Sequence, residues 1–227
     1  MSAPPRPRPG RIEAKRLPTR NIRSDRGYPA GQMSDLEDAL ERARAGDANG
    51  MAELYRAYAA PLLAYLVTQV RRREDAEDLL GEVFLSAMRD VSRFDGNIGG
   101  FRAWLYRIAS NRAVDLARRN ARRPEDPLAV AFEQPGEADP AGEALGRVDR
   151  ERLWRAVMAL PEAQRQVVAM RLAGGLSAPE IATVVGKPLG AVKALQHRAL
   201  VNLTKALGGP YPGVPEGRLE GREETID

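Results

Sequence analysis

The chain has 227 residues but no cysteine and a single histidine, His197. The lack of cysteine excludes disulfide bonds and thiolate metal sites. A lone histidine makes His-based metal sites and Ser-His or Cys-His catalysis very hard to assemble. We therefore expect a protein that is not an enzyme, with no catalytic residues, no metal ion, no other cofactor and no small-molecule substrate.

Long apolar runs are also missing. The longest charge-free apolar stretch, residues 58–70, is interrupted by Pro61 and is too short to span a bilayer. The first thirty residues are rich in proline and arginine and have no apolar core, so they do not match a secretory signal. These features predict a cytoplasmic protein with no membrane contact of its own.

Charge is unevenly distributed along the chain, although the formal net charge is only +4. Residues 101–123 and 187–207 are basic, and residues 124–149 between them are mostly acidic. Two basic segments suit two contacts on a polyanion, because neutralised phosphates supply most non-specific affinity for nucleic acid. Ordinary solvated helix faces would give the same pattern, and charge alone leaves these two interpretations about equally open.

Hydrophobic spacing predicts an all-α protein with two small helical domains, one of three or four helices and one with a helix-turn-helix, joined by a flexible linker. The predicted divisions are a disordered basic arm at 1–33, a helical domain at 34–123, an acidic flexible linker at 124–148, a helix-turn-helix domain at 149–208 and a polar tail at 209–227.

The first domain is expected to contain three long helices. One helix carries a single apolar stripe at Leu54, Tyr58, Leu62 and Leu66. A second begins near Glu74 and is expected to bury Met88 with its apolar neighbours. A glycine-rich loop at residues 92–100 then breaks the pattern, and Phe101 opens the third helix.

The second domain contains the pattern of a helix-turn-helix. Ser177 and Glu180 form a capping box before a short apolar helix, and Gly186 makes the tight turn that follows. A longer basic helix begins at about Leu189, an arrangement that can present one helix to the major groove. Four polar side chains of that helix remain for DNA: Lys193, Gln196, His197 and Arg198. The alternative is a plain helical hairpin within a bundle.

Three groups of segments occur in an order that is typical of one family. The first group is residues 75–84, which read Asp-Ala-Glu-Asp-Leu-Leu-Gly-Glu-Val-Phe. The second group consists of residues 93–96, Arg-Phe-Asp-Gly, and residues 101–111, Phe-Arg-Ala-Trp-Leu-Tyr-Arg-Ile-Ala-Ser-Asn. The third group consists of Leu-Pro at 160–161 and the segments 165–168, 190–193 and 196–200. In order, they resemble the core-polymerase-binding helix, the minus-ten recognition segment and the minus-35-binding domain of the sigma-70 family, specifically its extracytoplasmic-function (ECF) group. The resemblance covers about residues 46–122 and 150–207.

The resemblance implies three sets of contact residues. The set that binds core RNA polymerase is Asp75, Glu77, Asp78, Leu79, Glu82 and Phe84. The set that binds the minus-ten element is Phe94, Asn97, Phe101, Tyr106, Arg107, Asn111, Arg112, Arg118, Arg119 and Arg122. The set that binds the minus-35 element is Lys187, Gly190, Ala191, Lys193, Ala194, Gln196, His197 and Arg198. Three residues depart from the family's polar pattern, so fewer polar groups are expected to face the DNA: Pro188, Ala191 and Leu195.

The residues themselves allow further interpretations. A protein without an ATPase motif can open a duplex only by binding the unpaired state more tightly, and flipped bases can stack on aromatic rings around the glycine loop. Phe101 and Trp104 also have the spacing of ordinary core residues. The acidic run at 74–78, with Glu82, fits a metal site, partners of a helix dipole or a polymerase docking face, and we prefer the last.

The resemblance implies a bacterial sigma factor that binds core RNA polymerase, recognises promoter DNA and promotes strand opening. The DNA would be bound both as duplex and as the single-stranded non-template strand. Control by an anti-sigma factor is also implied. The first alternative is a helix-turn-helix regulator that acts without docking to polymerase, and the acidic helix at 74–84 argues against it. The second is an enzyme acting on nucleic acid, which the missing histidine and cysteine chemistry disfavours.

Overall fold

The computed structural model of the chain describes residues 30–121 and 151–209, and both ranges are helical without a strand. The first range holds α1 (Ala30–Arg44), α2 (Ala48–Gln69), α3 (Arg73–Asp90), a short 3-10 turn (Val91–Arg93) and α4 (Ile98–Ala121). The second holds α5 (151–158), α6 (Glu162–Leu172), α7 (Ala178–Val185) and α8 (Leu189–Leu207). The predicted all-α class with two helical domains is confirmed. The predicted linker, most of the arm and nearly all of the tail lie outside the described residues.

The longest apolar stripe of the first domain lies on α2. Asp47 caps this helix, because its side-chain Oδ1 accepts the backbone N–H of Asn49 over 2.8 Å. The predicted stripe is confirmed, since all four of its side chains are buried against the neighbouring helices: Leu54, Tyr58, Leu62 and Leu66. Arg42 on α1 and Glu53 on α2 tie the two helices together, with Nη2 and Oε2 2.7 Å apart.

Two helices begin earlier than the sequence predicts. Helix α1 begins at Ala30, inside the segment expected to be a disordered arm. Helix α4 begins at Ile98 rather than Phe101, so part of the expected glycine loop forms its first turn. Side chains satisfy the first N–H groups there: Asn97 Oδ1 accepts from Gly100, and Glu37 Oε2 accepts from Ile98, each over 2.9 Å. The Glu37 contact joins α1 to α4 and therefore links distant parts of the sequence.

Met88 is not in the core, contrary to expectation. Its side chain on α3 is 57% exposed, while Leu80, Val83 and Ala87 of the same helix are buried. The buried face of α3 is therefore narrower than the apolar composition of the helix suggests. Met88 falls on the opposite side, where no other described helix covers it.

The helix-turn-helix is confirmed in its local details. Ser177 Oγ accepts the N–H of Glu180, and Glu180 Oε2 accepts the N–H of Ser177 over 2.6 Å, which completes the capping box. Gly186 ends α7 with φ +66, a left-handed conformation that costs little only for glycine. The expected inner faces of α7 and α8 are buried, including Ile181, Val184, Val192, Ala199 and Leu203.

The two domains pack on each other. Helix α6 lies against α2, and α7 lies against α4, so one continuous apolar core runs through both domains. A smaller cluster inside the second domain joins α5, α6 and α8 through Val157, Leu160, Val168 and Leu203. The helix-turn-helix is thereby held directly beside α4.

Candidate functional site

The acidic residues of α3 lie around its N-terminal half. Glu77 and Asp78 are exposed, while Asp75 and Glu82 are half-buried. Arg73 pairs with Glu77 over 2.8 Å, and Arg72 lies 3.7 Å from Asp75. Acidic side chains near a helix N-terminus also interact favourably with the helix dipole. This face is therefore negatively charged but partly compensated by its own arginines.

Leu79 and Phe84, which the sequence assigns to polymerase contact, are buried in the structure. The Phe84 ring packs at 61° against that of Tyr55 on α2, with 4.7 Å between centroids. The two side chains therefore support the surface of α3 from within rather than form it.

Large apolar side chains of α2 and α3 are exposed beside the acidic face. Leu85 and Met88 are 61% and 57% exposed, and Tyr55 is 46% exposed. We call these three residues the α3 patch. The sequence interpretation missed them, although Leu85 falls outside the buried stripe of α3 in helical phase. An exposed apolar patch beside charged residues is typical of a protein interaction surface.

The aromatic residues predicted to stack on bases lie in the core. Phe94 and Trp104 stack with 5.1 Å between centroids, and Phe101 lies 5.8 Å from each of them. Arg44 lies over the outer side of Phe94, 5.5 Å from its centroid. Tyr106 packs against Tyr65 at 5.3 Å. All these rings are buried, so in this conformation they do not form an open pocket for a flipped base.

Helix α4 has a polar face beyond these rings. Asn111, Arg118 and Arg119 are exposed, and Arg107 and Arg112 are half-buried. Arg118 also lies 3.8 Å from Asp115 one turn away, an ion pair that the spacing predicts. Asn97 is half-buried and caps the helix, and Arg122 lies outside the described residues. The predicted minus-ten residues Arg107, Asn111, Arg112, Arg118 and Arg119 thus share α4 with the buried rings of Phe101, Trp104 and Tyr106.

Helix α8 presents most of its predicted DNA-contacting residues to solvent. Gln196 is half-buried, as is Leu195, which packs towards the core. The exposed members of the predicted set are Lys187, Gly190, Ala191, Lys193, Ala194, His197 and Arg198. Asn202 donates to Gln164 on α6 over 2.9 Å, which fixes α8 against the domain.

Burial and pairing shift the pKa of two acidic groups in the first domain. Burial raises the pKa of the Tyr65 phenol to about 12. The Arg42 guanidinium, through its hydrogen bond, lowers the pKa of the Glu53 carboxyl. Tyr65 therefore stays neutral at any physiological pH.

No group of three or more His, Asp or Glu side chains in residues 30–121 and 151–209 converges on a point where a metal ion could bind. No helix of these ranges is both long and apolar enough to cross a membrane.

Comparison with known proteins gives matches across both domains. Residues 54–123 match the family model for Sigma-70 region 2, and residues 150–203 match the model for Sigma-70 region 4. Three relatives illustrate the likeness. The ECF RNA polymerase sigma factor BldN of Streptomyces coelicolor is 34% identical over 76% of this chain and 66% of its own. The RNA polymerase sigma-H factor of Pseudomonas aeruginosa is 31% identical over 75% and 93% of the two chains. The ECF RNA polymerase sigma factor ShbA of Streptomyces griseus is 32% identical over 72% and 91%.

Solved structures share the fold. CnrH, in complex with the cytosolic domain of CnrY, gives a TM-score of 0.57 at 22% identity, over 77% of this chain and 97% of CnrH. The sigma factor RpoE from Bartonella quintana, in complex with the anti-sigma factor NepR, gives 0.56 at 23% identity, over 69% and 96% of the two chains. The helical arrangement described above is therefore one that these proteins share.

Proposed function

The chain belongs to the sigma-70 family as an ECF RNA polymerase sigma factor, and we propose which of its surfaces carries each part of that function. Helix α3 with the α3 patch binds core RNA polymerase, the polar face of α4 binds the minus-ten element, and α8 binds the minus-35 element. The proposed domain roles follow the predicted divisions, with residues 34–123 and 149–208 as the two binding domains.

Polymerase docking is carried by one observation, the exposed apolar side chains beside an acidic helix face. Leu85, Met88 and Tyr55 offer apolar area that folding leaves exposed, and burying it against a partner is favourable by about 25 cal/mol per Å². Glu77, Asp78 and other nearby acids can set the orientation of a basic partner surface. We infer that the apolar patch supplies affinity while the acids supply specificity.

Minus-ten binding is proposed for the polar face of α4. Exposed arginines there can neutralise phosphates, and Asn111 can hydrogen-bond a base edge. The buried, packed rings of Phe94, Phe101 and Trp104 hold the N-terminal end of this helix in place. Strand opening then follows from tighter binding of the single-stranded non-template strand than of the duplex, without a nucleotide-driven step.

Minus-35 binding is proposed for α8, which follows the turn at Gly186 and keeps one face exposed. Lys187, Lys193 and Arg198 are exposed and can contact phosphates, and His197 is exposed on the same helix as the last two. Small side chains occupy the helix entry at Gly190, Ala191 and Ala194, so the backbone can approach the groove closely. We expect readout through phosphate position and apolar contacts with thymine methyl groups.

Regulation by an anti-sigma factor is proposed for this chain as well, in a cytoplasmic setting and without enzymatic activity. CnrH and RpoE were solved with CnrY and the anti-sigma factor NepR, respectively. The ECF likeness of the sequence supports the same kind of partner here. A co-purification of the chain with candidate inhibitors, followed by loss of transcription on adding the inhibitor, tests it.

The first experiment mixes the purified chain with bacterial core RNA polymerase and DNA from its own upstream region. We expect complex formation and transcripts with a defined start that appear only when the chain is present. A Leu85→Ser/Met88→Ser variant should bind core polymerase about tenfold or more weakly while it keeps its affinity for duplex DNA. The opposite result, duplex binding by the unchanged chain with no binding of core polymerase, would favour the alternative of a regulator that acts without docking.

A further inference from the structure

The contact between the two domains is formed by buried side chains of both. Apolar side chains of α6 and α7 join the core of the first domain, among them Val167, Met170 and Ile181, all almost fully buried. Gly174, just after α6, is packed so closely that a Cβ there would lie 2.6 Å from Cζ of Tyr106 on α4. The second domain therefore packs closely against the side chains of α4.

A buried ion pair crosses this contact. Arg102 Nη2 on α4 lies 2.9 Å from Glu180 Oε1 on α7, and the two side chains are only 5% and 0% exposed. Removing charges from water is costly unless they are paired, so each of these residues depends on the other in this arrangement. A second polar bridge runs alongside, where Gln166 Nε2 on α6 donates to Ser110 Oγ on α4 over 2.8 Å.

The two carboxylate oxygens of Glu180 have different hydrogen-bond partners. Oε2 accepts from the backbone N–H and the hydroxyl of Ser177, each over 2.6 Å, and this completes the cap of α7. Oε1 is left for Arg102 of the other domain. The Arg102 Nε–H is buried and has no hydrogen-bond partner among the described residues. The ion pair thus has a defined geometry, but one buried hydrogen-bond donor of Arg102 has no acceptor. Such an incompletely hydrogen-bonded contact suits an interface that must open.

The closed arrangement conflicts with simultaneous reading of two promoter elements. Elements at positions minus-ten and minus-35 are about 25 base pairs apart, which is roughly 80 Å along B-DNA at about 3.4 Å per base pair. In this structure α7 of the helix-turn-helix packs directly on α4. Helix α4 and the recognition helix α8 therefore cannot reach both elements until the domains separate.

We propose that this structure is a closed resting form, in which Arg102 and Glu180 act as a latch that has to break before the chain can bind a promoter. The inference rests on the proposed function, because it uses the assignment of α4 and α8 to two separate elements. In the closed form the pair specifies how the domains fit. On opening, water hydrates both charges, so separating the intact pair has only a modest free-energy cost. In the closed contact, either residue without its partner would be a buried unpaired charge, which has a large free-energy cost.

The test replaces Glu180 with a residue that keeps the cap but loses the charge. Glu180→Gln fits, since glutamine serves in a capping box as glutamate does. The matched control is Glu151→Gln, which removes the same charge from an exposed pair with Arg155 inside the second domain. Because the chain has no cysteine, Ala45→Cys and Ala206→Cys place one fluorophore at an exposed position on each domain. Energy transfer between them in the free, full-length chain reports domain separation.

We expect high transfer in the unchanged chain and in Glu151→Gln, and a shift of at least about tenfold towards the low-transfer form in Glu180→Gln. Binding of the free chain to a duplex with both elements should rise by a similar factor. Arg102→Met removes the other partner and should open the chain likewise, and far-ultraviolet circular dichroism confirms that helix content is kept. Low transfer in the unchanged chain, or transfer in Glu180→Gln and Arg102→Met that stays as high as in the unchanged chain, would overturn the latch.

The proposed function can fail independently of the latch. If the variants open as expected but no form of the chain binds polymerase or promoter DNA, the closed form stands and the function assigned to the surfaces falls. If the unchanged chain directs transcription but its free form already shows low transfer, the function stands and the latch falls.

Discussion

Arg112 on α4 lies 3.2 Å from Glu82 on α3, measured from Nη1 to Oε2. The sequence assigns these residues to different partners, Glu82 to polymerase and Arg112 to DNA. In the structure they contact each other across the boundary between two proposed binding surfaces. Each can therefore orient the other while its outer side stays available, since Glu82 is 44% exposed and Arg112 is 33% exposed.

Breaking this pair should affect binding more than folding. Arg112→Ala is expected to change the free energy of unfolding by less than about 1 kcal/mol, because partly exposed ion pairs contribute little. It should lower affinity for a single-stranded minus-ten oligonucleotide and reduce the salt slope of binding by about one. Arg155→Ala, which removes an exposed arginine of another ion pair, is the control for charge loss. A fall in stability of several kcal/mol without a change in DNA binding would contradict the assignment of Arg112.

The α3 patch should matter to polymerase and not to folding. Leu85→Ser and Met88→Ser remove exposed apolar area, so the free energy of unfolding is expected to stay within about 0.5 kcal/mol of the unchanged chain. Affinity for core polymerase should fall about tenfold or more for the double variant, since anchors at an interface commonly contribute above 1 kcal/mol each. Val201→Ser on α8 is the control, as another exposed apolar side chain. Fluorescence anisotropy of the labelled chain titrated with core polymerase measures the difference.

The features that the sequence predicts correctly are mostly those that depend on residues close together in the chain. The capping box at Ser177 and Glu180 and the left-handed turn at Gly186 depend on residues a few positions apart, and both are found as expected. The sequence predicts that α4 begins at Phe101, three residues late, since glycines follow the local cap Asn97 and a second acceptor of the first turn, Glu37, lies 61 residues away in the chain. Local periodicity does not contain that contact.

The candidate site was predicted less completely, for the same reason. Arg102 and Glu180 are separated by 78 positions, and in the sequence each is an ordinary charged residue of a helix. Periodicity also could not decide whether the aromatic residues of α4 are buried or exposed, because packing of the second domain on α4 helps to bury them. The exposed Leu85 could have been found from its phase on α3, but the apolar composition of the helix concealed it.

Phe101 should behave as a core residue in this structure. It is fully buried among Tyr58, Phe94 and Trp104, so Phe101→Ala is expected to lower the free energy of unfolding by about 3–5 kcal/mol. Arg107→Ala, on the polar face of the same helix, should instead weaken oligonucleotide binding with little loss of stability. Urea denaturation of both variants, together with binding of a single-stranded minus-ten oligonucleotide, separates the two roles. Loss of binding by Phe101→Ala at unchanged stability would restore the base-stacking assignment.

Tyr65 should make the fold sensitive to alkaline pH. Burial raises its pKa to about 12, whereas an unfolded tyrosine has a pKa of about 10. Between these values the unfolded chain loses this proton and the folded chain keeps it, so stability falls as pH rises through the window, by about 2–3 kcal/mol in total. Tyr65→Phe cannot ionise and should lose less stability over the same range. Denaturation midpoints of both chains at stepped pH provide the measurement, and parallel pH profiles would show that Tyr65 is not the group responsible.

Two glycines of the helix-turn-helix should respond to alanine in opposite directions. A Cβ at Gly186 or at Gly190 would meet no atom within 4 Å, so packing is the same in both cases and only the backbone differs. Gly186 has φ +66, and Gly186→Ala is expected to cost about 1–2 kcal/mol. Gly190 lies in the first turn of α8, where Gly190→Ala should stabilise the fold by about 0.5–1 kcal/mol.

Gly190→Ala also tests how α8 meets DNA. A methyl group added to the exposed entry of this helix should weaken binding to a minus-35 duplex if the backbone approaches the groove closely there, even though the domain becomes more stable. Gly81→Ala on α3 provides the control, because it is likewise exposed with open space around its Cβ position and lies on the other domain. A stabilised Gly190→Ala chain with unchanged affinity for the duplex would mean that the entry of α8 stands away from the bases. The minus-35 element would then be read by the more distal residues Lys193, His197 and Arg198.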